Sequence, residues 1–487
     1  MFTTRATRRE FLGGGSLALL SFICNRAYPA IPGSCDGPGA RLKVGVVSDI
    51  HISVLGDAAA GELNGPPNAK TFIHALERFR DAKVDAVLIS GDLANDGFTE
   101  QLLAVGDAWR QVFPDGAPAP VKLIIGGNHD WEGWKYGRKG VQRFPDEAEL
   151  KRNIICENLD AAWRAAFGEP FEKIVDKEVK GYRFIGAHWP FHDREAAEYL
   201  KSVKSTLPRD KPFFYFQHPP LPGTMKDSGG RKAVTKFLSS FPNAVAITGH
   251  THGSITNERS IWQGGFTAIN AGSLRYTCPP NGRENSGPKR NSWFKQMETI
   301  STHDCRQGLM MTVYGDRIVV ARHEHVSNLP LGPDWVIPLD GSRPFDLRSR
   351  AAAAHAPCFP PDAKPVLSEP SEGKRRDGAK SIKVALRFPQ AMPSDSTHGR
   401  VLDYRVEVKI TQGGLVDETY MVRRFMAEGF NKPEGLMPAE MECLLDADTI
   451  PHECPLKFEV RAADCYGNLS EPIVLDDAKL KGIVVKW

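Results

Sequence analysis

The side chains of this sequence that are best suited to chemistry stand directly after short apolar runs. The turn Gly126-Gly127-Asn128-His129-Asp130 follows the apolar run 121–125, and acidic or imidazole side chains follow four other runs. Runs of this kind are typical of buried strands, and open α/β sheets bind their ligands beyond the carboxyl ends of their strands. The candidate residues are Asp49, His51, Asp92, Asn128, His129, His218, His250 and His252.

All of these side chains except His129 are good ligands for a metal ion. Carboxylate, imidazole and amide donors without thiolates favour Mn, Fe or Zn in a site that keeps open positions for water. One carboxylate can bridge two divalent ions about 3.5–4 Å apart, and such a pair can hold a bridging hydroxide as the nucleophile for in-line displacement at phosphorus. His129, which is spare beside Asn128, can protonate the leaving group.

The elements that must position these residues are predicted by the periodicity between residues 42 and 322. Apolar residues three and four positions apart predict helices over 67–82 and 99–113, the second of which ends at Pro114. Short apolar runs alternate with these stretches, which indicates an α/β domain. The predicted strands cover 42–47, 85–90, 121–125, 182–187, 212–216, 244–247, 266–269, 309–314 and 317–322.

Five stretches in this order resemble the calcineurin-like metallophosphoesterase family: Asp49-x-His51, Gly91-Asp92, Gly127-Asn128-His129-Asp130, His218 and Gly249-His250-x-His252. The resemblance implies a four-layer α/β/β/α sandwich over residues 41–328 and two metal sites. The first site would hold Asp49, His51, Asp92 and His252, and the second would hold Asp92, Asn128, His218 and His250. Asp92 would bridge the two ions.

Asn95 departs from the pattern of the protein phosphatases that this family contains. Those enzymes have a carboxylate at this position, which helps to orient the acid histidine, and an arginine after it. Here either Asp96 or Asp130 could orient His129, and Asp130 could alternatively cap its own turn. The missing arginine argues against phosphoprotein substrates, and Asn95 in place of a tyrosine argues against purple acid phosphatase chemistry. The loop 91–97 is more similar to that of bacterial hydrolases of cyclic nucleotides and other small phosphodiesters.

Two segments without a motif, 131–180 and 274–307, are where we expect substrate specificity to lie. Their aromatic and basic residues either contact the substrate or serve as structural aromatics and solvated loop residues. The same choice between lining a pocket and ordinary packing applies to His188 and His192. The residues concerned in the two segments are Trp131, Trp134, Tyr136, Trp163, Arg275, Tyr276, Arg283, Lys289 and Arg290.

The pattern changes after residue 328. Nine prolines between residues 329 and 370 indicate a connector. Within 371–487, apolar residues alternate with polar ones, as in the stretch 382–388, and this predicts half-buried antiparallel strands. We expect an all-β sandwich of the immunoglobulin type, whose final segment resembles a fibronectin type III module.

The first 35 residues resemble a twin-arginine export signal. Thr7-Arg8-Arg9-Glu10-Phe11-Leu12 precedes an apolar stretch that ends at Ile23. This stretch is shorter than the roughly 20 apolar residues that span a membrane, so no stable membrane span is expected, and a membrane anchor is the alternative. The resemblance implies that the twin-arginine translocase exports the folded protein, which suits a metalloenzyme that must first load its ions. A periplasmic or secreted protein is expected.

Charge and cysteine content set further limits. Residues 1–30 contain four arginines and one glutamate, which account for the whole net charge of +3. The remainder is near neutral, so there is no general electrostatic reason for binding to bulk nucleic acid or anionic membranes.

The nine cysteines include no CxxC pair, and export permits either disulfides or free buried thiols.

Together these patterns predict an exported phosphoesterase that depends on two divalent metal ions. We expect a small phosphodiester as the substrate, attacked by the metal-bridging hydroxide, with Asp92 in the catalytic centre and His129 as the general acid. A phosphomonoesterase or nucleotidase of the same fold is one alternative. The other is a non-catalytic envelope protein whose C-terminal sandwich binds a ligand or mediates adhesion.

Overall fold

The computed structural model describes residues 39–53, 68–225, 232–278, 305–375, 378–393, 400–412, 415–450, 454–478 and 480. The stretch that resembles an export signal lies outside these residues, as does 279–304 in the second predicted specificity segment. All described residues belong to one compact unit. Within this described part, no helix combines the length and apolar character that crossing a bilayer requires.

Strands in the first two thirds of the chain lie within two residues of the predicted runs, with four additions at 174–179, 261–263, 329–330 and 335–338. They are β1 (Leu42–Val47), β2 (Ala86–Ser90), β3 (Val121–Ile125), β4 (Ile174–Val179), β5 (Tyr182–Ala187), β6 (Phe213–Gln217), β7 (Ala244–Thr248), β8 (Ile261–Gln263), β9 (Thr267–Asn270), β10 (Gln307–Val313), β11 (Arg317–Glu324), β12 (Leu329–Pro330) and β13 (Trp335–Pro338).

Helices in this part of the chain are α1 (Asn68–Asp81), α2 (Thr99–Val112), α3 (Asn128–Glu132), α4 (Lys139–Arg143), α5 (Glu147–Asn153), α6 (Leu159–Phe167), α7 (Arg194–Ser202) and α8 (Ala233–Leu238), with short 3₁₀ helices at Gly133–Arg138, Ile155–Glu157, Lys204–Thr206 and Glu258–Ser260. The helices α1 and α2 confirm the predictions over 67–82 and 99–113. The segment 131–180, by contrast, contains helices of only five to nine residues. These are too short to show a repeated apolar stripe in the sequence.

The strands form two mixed sheets. The first has the order β12-β11-β10-β1-β2-β3, with β13 also paired to β11, and its β1, β2 and β3 are parallel. The second has the order β4-β5-β6-β7-β9-β8, and its β5, β6, β7 and β9 are parallel. The carboxyl ends of the parallel strands therefore lie at one edge of each sheet.

A buried apolar cluster joins the two sheets face to face. Val44 and Leu88 of the first sheet belong to the same cluster as Phe184, Phe214 and Val245 of the second. Burying each such side chain stabilises the fold by about 1.5–3 kcal/mol. Separate clusters pack α1, α2 and α6 on the outer face of the first sheet and α7 and α8 on that of the second. The predicted four-layer α/β/β/α architecture is thereby confirmed.

The segment expected as a proline-rich connector is partly built into the sheets. Its strands β12 and β13 both pair with β11, beyond the expected domain boundary at residue 328. Pro330 and Pro338 lie in these two short strands at the margin of the sheet, where a missing backbone N–H is tolerated. Proline density alone therefore did not distinguish a connector from edge strands.

The C-terminal part contains α9 (Leu347–Ala353) and the strands β14 (Val366–Leu367), β15 (Ser371–Lys374), β16 (Lys380–Pro389), β17 (Asp403–Gln412), β18 (Leu415–Met426), β19 (Glu440–Asp446), β20 (Leu456–Ala463) and β21 (Ile473–Ala478), with 3₁₀ helices at Glu434–Leu436 and Ala447–Thr449. In one sheet, β14, β15 and β19 pair with β16, and in the other the order is β18-β17-β20-β21. Both sheets contribute to one apolar core, which includes Leu386, Tyr404, Leu445 and Phe458. The predicted all-β sandwich is confirmed.

A buried group of charges joins α9 to the α/β part of the chain. Glu258 accepts from Arg322 at 2.6 Å, from Arg350 at 2.5 Å and from the indole of Trp335 at 3.0 Å. The guanidinium of Arg350 also lies 5.9 Å from the ring centre of Tyr466 in the C-terminal sandwich. Burial would raise the pKa of the Glu258 carboxyl, but the two arginines keep it below its ordinary value.

Replacing Glu258 should therefore destabilise the protein strongly. In Glu258→Ala, two buried guanidinium groups lose their shared counter-ion, and the free energy of unfolding in urea should fall by about 3–5 kcal/mol. Asp107→Ala is the matched control, because Asp107 is 75% exposed in its pair with Arg110. Its loss should cost about 0–1 kcal/mol. Equal effects of the two substitutions would contradict a stabilising role for the buried group.

Candidate metal centre

The loops after the parallel strands bring residues from both sheets to one place. Five of the predicted ligands there have a left-handed backbone, with φ values of 53° at Asp49, 50° at His51, 53° at Asp92, 68° at His250 and 48° at His252. This conformation costs a non-glycine residue about 1–3 kcal/mol, and residues that adopt it cluster at functional sites.

Glycines allow these loops to approach one another. A Cβ atom on Gly127 would collide with the Asp92 carboxylate, and one on Gly249 would collide with Ser48. Gly91 has a φ of 103°, and a side chain there would collide with the ring of His218. The glycines before Asp92, Asn128 and His250 are therefore required by close contact, and Gly91 is required by its backbone conformation as well.

One group of possible ligands consists of Asp49, His51, Asp92 and His252, whose ligand atoms all lie within 4.8 Å of one another. The Nε2 atom of His252 is 3.2 Å from Asp49 Oδ1 and 3.1 Å from His51 Nε2. His51 Nε2 is 3.4 Å from Asp92 Oδ2. All four residues are buried, and they are the set that the family resemblance implied for the first metal site.

A second group shares Asp92 with the first. It adds His218 and His250, again with all ligand atoms within 4.8 Å. His218 Nε2 lies 3.1 Å from Asp92 Oδ2, and Asn128 Oδ1 lies 2.9 Å from His250 Nδ1. The structure thus brings together all seven predicted ligands, and Asp92 lies where a bridging carboxylate would be needed.

Hydrogen bonds from outside the two groups orient the ligand atoms. His218 donates from Nδ1 to the Ser90 carbonyl at 2.8 Å, and His252 donates from Nδ1 to the Tyr276 carbonyl at 3.1 Å. The Nε2 atom of each ring therefore faces the carboxylates. The amide nitrogen of Asn128 donates to the Tyr136 hydroxyl at 2.9 Å, which turns its Oδ1 atom towards His250. Such outer contacts are typical of metal ligands.

The arrangement fits divalent transition ions. It gathers buried carboxylate, imidazole and amide donors without a thiolate, as Mn, Fe or Zn sites require. A histidine Nε2 lone pair 3.1 Å from a carboxylate oxygen is repulsive unless a proton or a cation lies between them. Metal ions bound between the donor atoms around Asp92 would therefore remove this repulsion.

The ionisation of the centre is governed by burial and by these close pairs. Burial would raise the pKa of Asp92, but the neighbouring His218 and His51 imidazoles hold it well below its usual range. Burial would lower the pKa of His218, but Asp92 and Asp49 raise it to about 9. Burial and the nearby His218 lower the pKa of His250 to about 4. At pH 7 the carboxylate of Asp92 is therefore ionised and the His250 ring is neutral, whereas the His218 ring carries a proton that a metal ion would have to displace.

His129 is oriented by a backbone carbonyl. Its Nδ1 atom lies 2.6 Å from the carbonyl oxygen of Asn95, and its ring makes an edge contact with His51 at 4.5 Å between centres. Its backbone N–H donates to Asp92 Oδ1 at 2.8 Å. His129 therefore lies beside the shared carboxylate, and its ring Nε2 atom is not used by the Asn95 contact.

The expectation that Asp96 or Asp130 orients His129 is corrected by this contact. The Asp130 carboxylate accepts from the backbone N–H groups of Leu93, Ala94 and Gly127 at 2.7–3.1 Å, so it holds two loops together. The Asp96 carboxylate instead accepts from Lys139 at 2.6 Å and from the side chains of Asn95 and Gln101. Side-chain type and spacing could not reveal that a main-chain oxygen takes this role.

Three aromatic side chains from different loops surround the centre. The Tyr136 ring lies 4.9 Å from that of His129, the Tyr276 ring lies 4.4 Å from that of His252, and the Trp189 ring stacks on His250 at 5.8 Å. The sequence left Tyr136 and Tyr276 open between substrate contact and other roles, and it did not single out Trp189. The signal that could have identified Trp189 is its place directly after β5, which is parallel to the strands that carry His218 and His250.

His188 and His192, which the sequence left open between lining a pocket and ordinary packing, have different surroundings. His188 is buried, accepts from the Gly126 N–H at 2.9 Å and packs against Trp131, Trp163 and Phe171. Burial lowers its pKa to about 3. His192 stacks on Trp189 at 5.0 Å, next to the centre. Packing is therefore the role of His188.

The sequence left Arg275 open between substrate contact and a solvated loop position, and the structure places it at the centre. It donates to the side-chain oxygen of Asn95. Its positive charge adds to burial in lowering the pKa values of His51 and His129. A guanidinium therefore lies within electrostatic range of both imidazoles.

Comparison with known proteins agrees with this geometry. Residues 42–254 match the family model of calcineurin-like phosphoesterases. The matched part of the chain contains β1 to β7 and is therefore similar to calcineurin-like phosphoesterases. The search of curated proteins found no match.

Several solved structures are similar at low identity. A dimetal phosphatase from Danio rerio is 13% identical, with a TM-score of 0.35 over 61% of this chain and 99% of that protein. A conserved uncharacterized protein from Streptococcus pneumoniae is also 13% identical, with a TM-score of 0.26 over 61% of this chain and 97% of its own. TT1561 of Thermus thermophilus is 12% identical, with a TM-score of 0.30 over 48% and 92%. At these values none of them assigns a substrate to this chain.

Asp92 should control metal binding at both positions. Asp92→Asn removes the charge that both groups share, so the number of tightly bound Mn²⁺ ions, measured by elemental analysis after gel filtration, should fall below that of the parent. Asp96→Asn is the matched control, because Asp96 is bound to Lys139 and Gln101 and is absent from both groups. Unchanged metal content in Asp92→Asn would contradict the assignment.

Proposed function

We propose that the protein is an exported phosphoesterase that depends on two divalent transition metal ions and hydrolyses a small phosphodiester. The observation that carries this proposal is the position of Asp92, whose buried carboxylate is shared by two groups of possible ligands while His129 lies directly beside it. The match of residues 42–254 to calcineurin-like phosphoesterases supports the reaction class.

The residues of the chain have separate parts in this reaction. Asp49, His51, Asp92 and His252 would hold one ion, and Asp92, Asn128, His218 and His250 the other. Bound ions of this kind supply Lewis acidity and make water nucleophilic near neutral pH. The fixed loops hold the ligands in place before substrate arrives, so little reorganisation is needed during the reaction.

His129 would protonate the leaving oxygen. In the imidazolium form, Nδ1–H stays bound to the Asn95 carbonyl, which lies at 2.6 Å, and Nε2–H is the proton that can be transferred. Burial lowers the pKa of His129, whereas the Asp92 carboxylate and the Asn95 carbonyl favour its protonated form. The residue is thus suited to give up a proton and to recover it.

The surroundings of the centre favour a phosphodiester. Such a substrate carries one negative charge and an organic group on each side of phosphorus. Tyr136, Trp189 and Tyr276 offer aromatic faces in different directions around the ligands, against which organic groups can pack. A phosphomonoesterase or nucleotidase is the second candidate, because Arg275 could pair with the additional charge of a monoester.

Export by the twin-arginine translocase forms part of the proposal and rests on the sequence of residues 1–35. Replacing Arg8 and Arg9 together by lysine should leave the protein in the cytoplasmic fraction, whereas the parent should be found in the periplasm or the medium. An unchanged distribution of the double variant would contradict this route.

Replacing His129 should slow the hydrolysis of those esters whose leaving group must be protonated. With Mn²⁺-loaded protein, His129→Gln should slow hydrolysis of an alkyl phosphodiester by about 10²–10⁴-fold, because its alkoxide leaves only when protonated. Bis(p-nitrophenyl) phosphate, whose leaving group needs no proton, should be affected much less. Metal content should stay at the parental value.

The same assay tests the reaction class. The parent protein should hydrolyse bis(p-nitrophenyl) phosphate faster than p-nitrophenyl phosphate. The reverse order would favour the monoesterase, and no turnover of either ester by protein that contains two ions would contradict the proposed function. An equal loss of rate on alkyl and nitrophenyl esters in His129→Gln would contradict its role as acid.

A further inference from the structure

Arg275 is anchored by the same loops that hold the metal ligands. It follows β9 and the turn 271–274, in which Ala271 donates to the Thr248 carbonyl at 2.8 Å and Leu274 donates to the Ser48 carbonyl at 3.1 Å. The backbone N–H of Arg275 itself donates to Ser273 Oγ at 3.0 Å, and that hydroxyl lies 3.1 Å from His252 Nδ1. The position of Arg275 is therefore fixed relative to His252.

Asn95 connects the Arg275 side chain to His129. The side-chain oxygen of Asn95 accepts from the guanidinium, while its backbone oxygen accepts from His129 Nδ1 at 2.6 Å. The amide nitrogen of Asn95 donates to Asp96 Oδ1 at 2.9 Å, and Asp96 in turn accepts from Lys139. Because Asp96 can only accept while it is ionised, it fixes the direction of the amide, with the oxygen towards Arg275.

The charge of Arg275 remains available to a ligand. Among the described residues its side-chain hydrogen-bond partner is the neutral Asn95 amide, and no carboxylate of this part of the chain lies within ion-pair distance. A guanidinium has five N–H donors, and Arg275 is only partly buried. It therefore keeps donors for an anion that binds between the metal ligands and His129.

The identity of residue 95 has a physical reason in this arrangement. A carboxylate there would form a close ion pair with Arg275 and neutralise it. An amide accepts the same hydrogen bond without removing the positive charge, and it leaves the backbone carbonyl free for His129. Asparagine at this position thus serves an enzyme whose acid histidine is held by a main-chain oxygen and whose anion site is completed by an arginine.

We propose that Arg275, positioned by Asn95, binds a non-bridging oxygen of the substrate phosphate next to His129. This inference rests on the proposed function and names a further substrate-binding residue and its positioning residue. The guanidinium stabilises the negative charge that builds up on the phosphoryl oxygens. Asn95 holds the guanidinium in a fixed position relative to His129, the general acid. Charge-assisted bonds of this kind are stronger than neutral ones.

Binding of inorganic phosphate tests the proposal without requiring turnover. With Mn²⁺-loaded protein in a calorimeter, Arg275→Ala should weaken phosphate binding by about 10–100-fold, as expected for the loss of a hydrogen bond between charged groups, and Arg275→Lys should weaken it less. Arg80→Ala is the matched control, because Arg80 is an exposed residue of α1 that pairs with Asp81. Its phosphate affinity should equal that of the parent.

Substitution of Asn95 tests the positioning role separately. Asn95→Asp should weaken phosphate binding nearly as much as Arg275→Ala, because the new carboxylate neutralises the guanidinium. The double variant should bind phosphate no more weakly than either single variant, since both changes remove the same interaction. Added guanidinium ion should partly restore phosphate binding to Arg275→Ala and should have no effect on the parent.

The possible outcomes separate this proposal from the proposed function. Phosphate affinity of Arg275→Ala within twofold of the parent, at equal metal content, would overturn the role of Arg275 even if the parent hydrolyses phosphodiesters. Additive losses in the double variant would overturn the role of Asn95. If Arg275→Ala binds phosphate more weakly than the parent while the parent hydrolyses no ester, the anion site is supported and the proposed function fails.

Discussion

The α/β domain depends on one electrostatic constraint. Two buried carboxylates that follow strands of the first sheet must lie close to imidazoles, and two of these imidazoles come from the second sheet. Asp49 pairs with His252, and Asp92 lies between His51 of its own sheet and His218 of the other. Removing one partner from such a buried group usually costs several kcal/mol, because the remaining charge has no water to solvate it. The relative position of the two sheets is thereby linked to the chemistry of the site.

This constraint explains why the loops are strained and rich in glycine. The carboxyl ends of parallel strands deliver side chains to a common edge, but close convergence of so many ligands also requires left-handed residues such as Asp49 and His250. The cost is offset by the apolar core between the sheets, which is made of side chains such as Val44 and Phe214. Rigid layers on both sides of the site keep the ligands in place without a bound substrate.

Much of the fold and most of the metal ligands could be predicted from the sequence, because each strand and the ligand that follows it lie close together along the chain. A strand with its following ligand is contained in a few consecutive residues, so β1 with Asp49 and β3 with Asn128 were recognisable, and their order indicated the family. The short helices between residues 131 and 180 carry no periodic stripe, and β12 and β13 were hidden by their prolines. These elements depend on pairing with strands that are distant in sequence.

The contacts that orient the side chains of the site could not be predicted from residue types. The orientation of His129 depends on the carbonyl oxygen of Asn95, which every residue type possesses, and the orientation of Asn128 depends on a hydroxyl from Tyr136. Arg275 is 180 positions away from Asn95 in the sequence. Only folding brings these residues together, and for this reason Asp96 and Asp130 were the natural but mistaken candidates.

The central claim is that Asp92 is shared by two metal ions. The most direct measurement is titration of chelator-treated protein with Mn²⁺, followed by electron paramagnetic resonance. We predict that two ions bind per chain and that the spectrum shows magnetic coupling between them, because a shared carboxylate holds both ions about 3.5–4 Å apart. Saturation at a single ion, or two ions whose spectra show no coupling, would contradict the account.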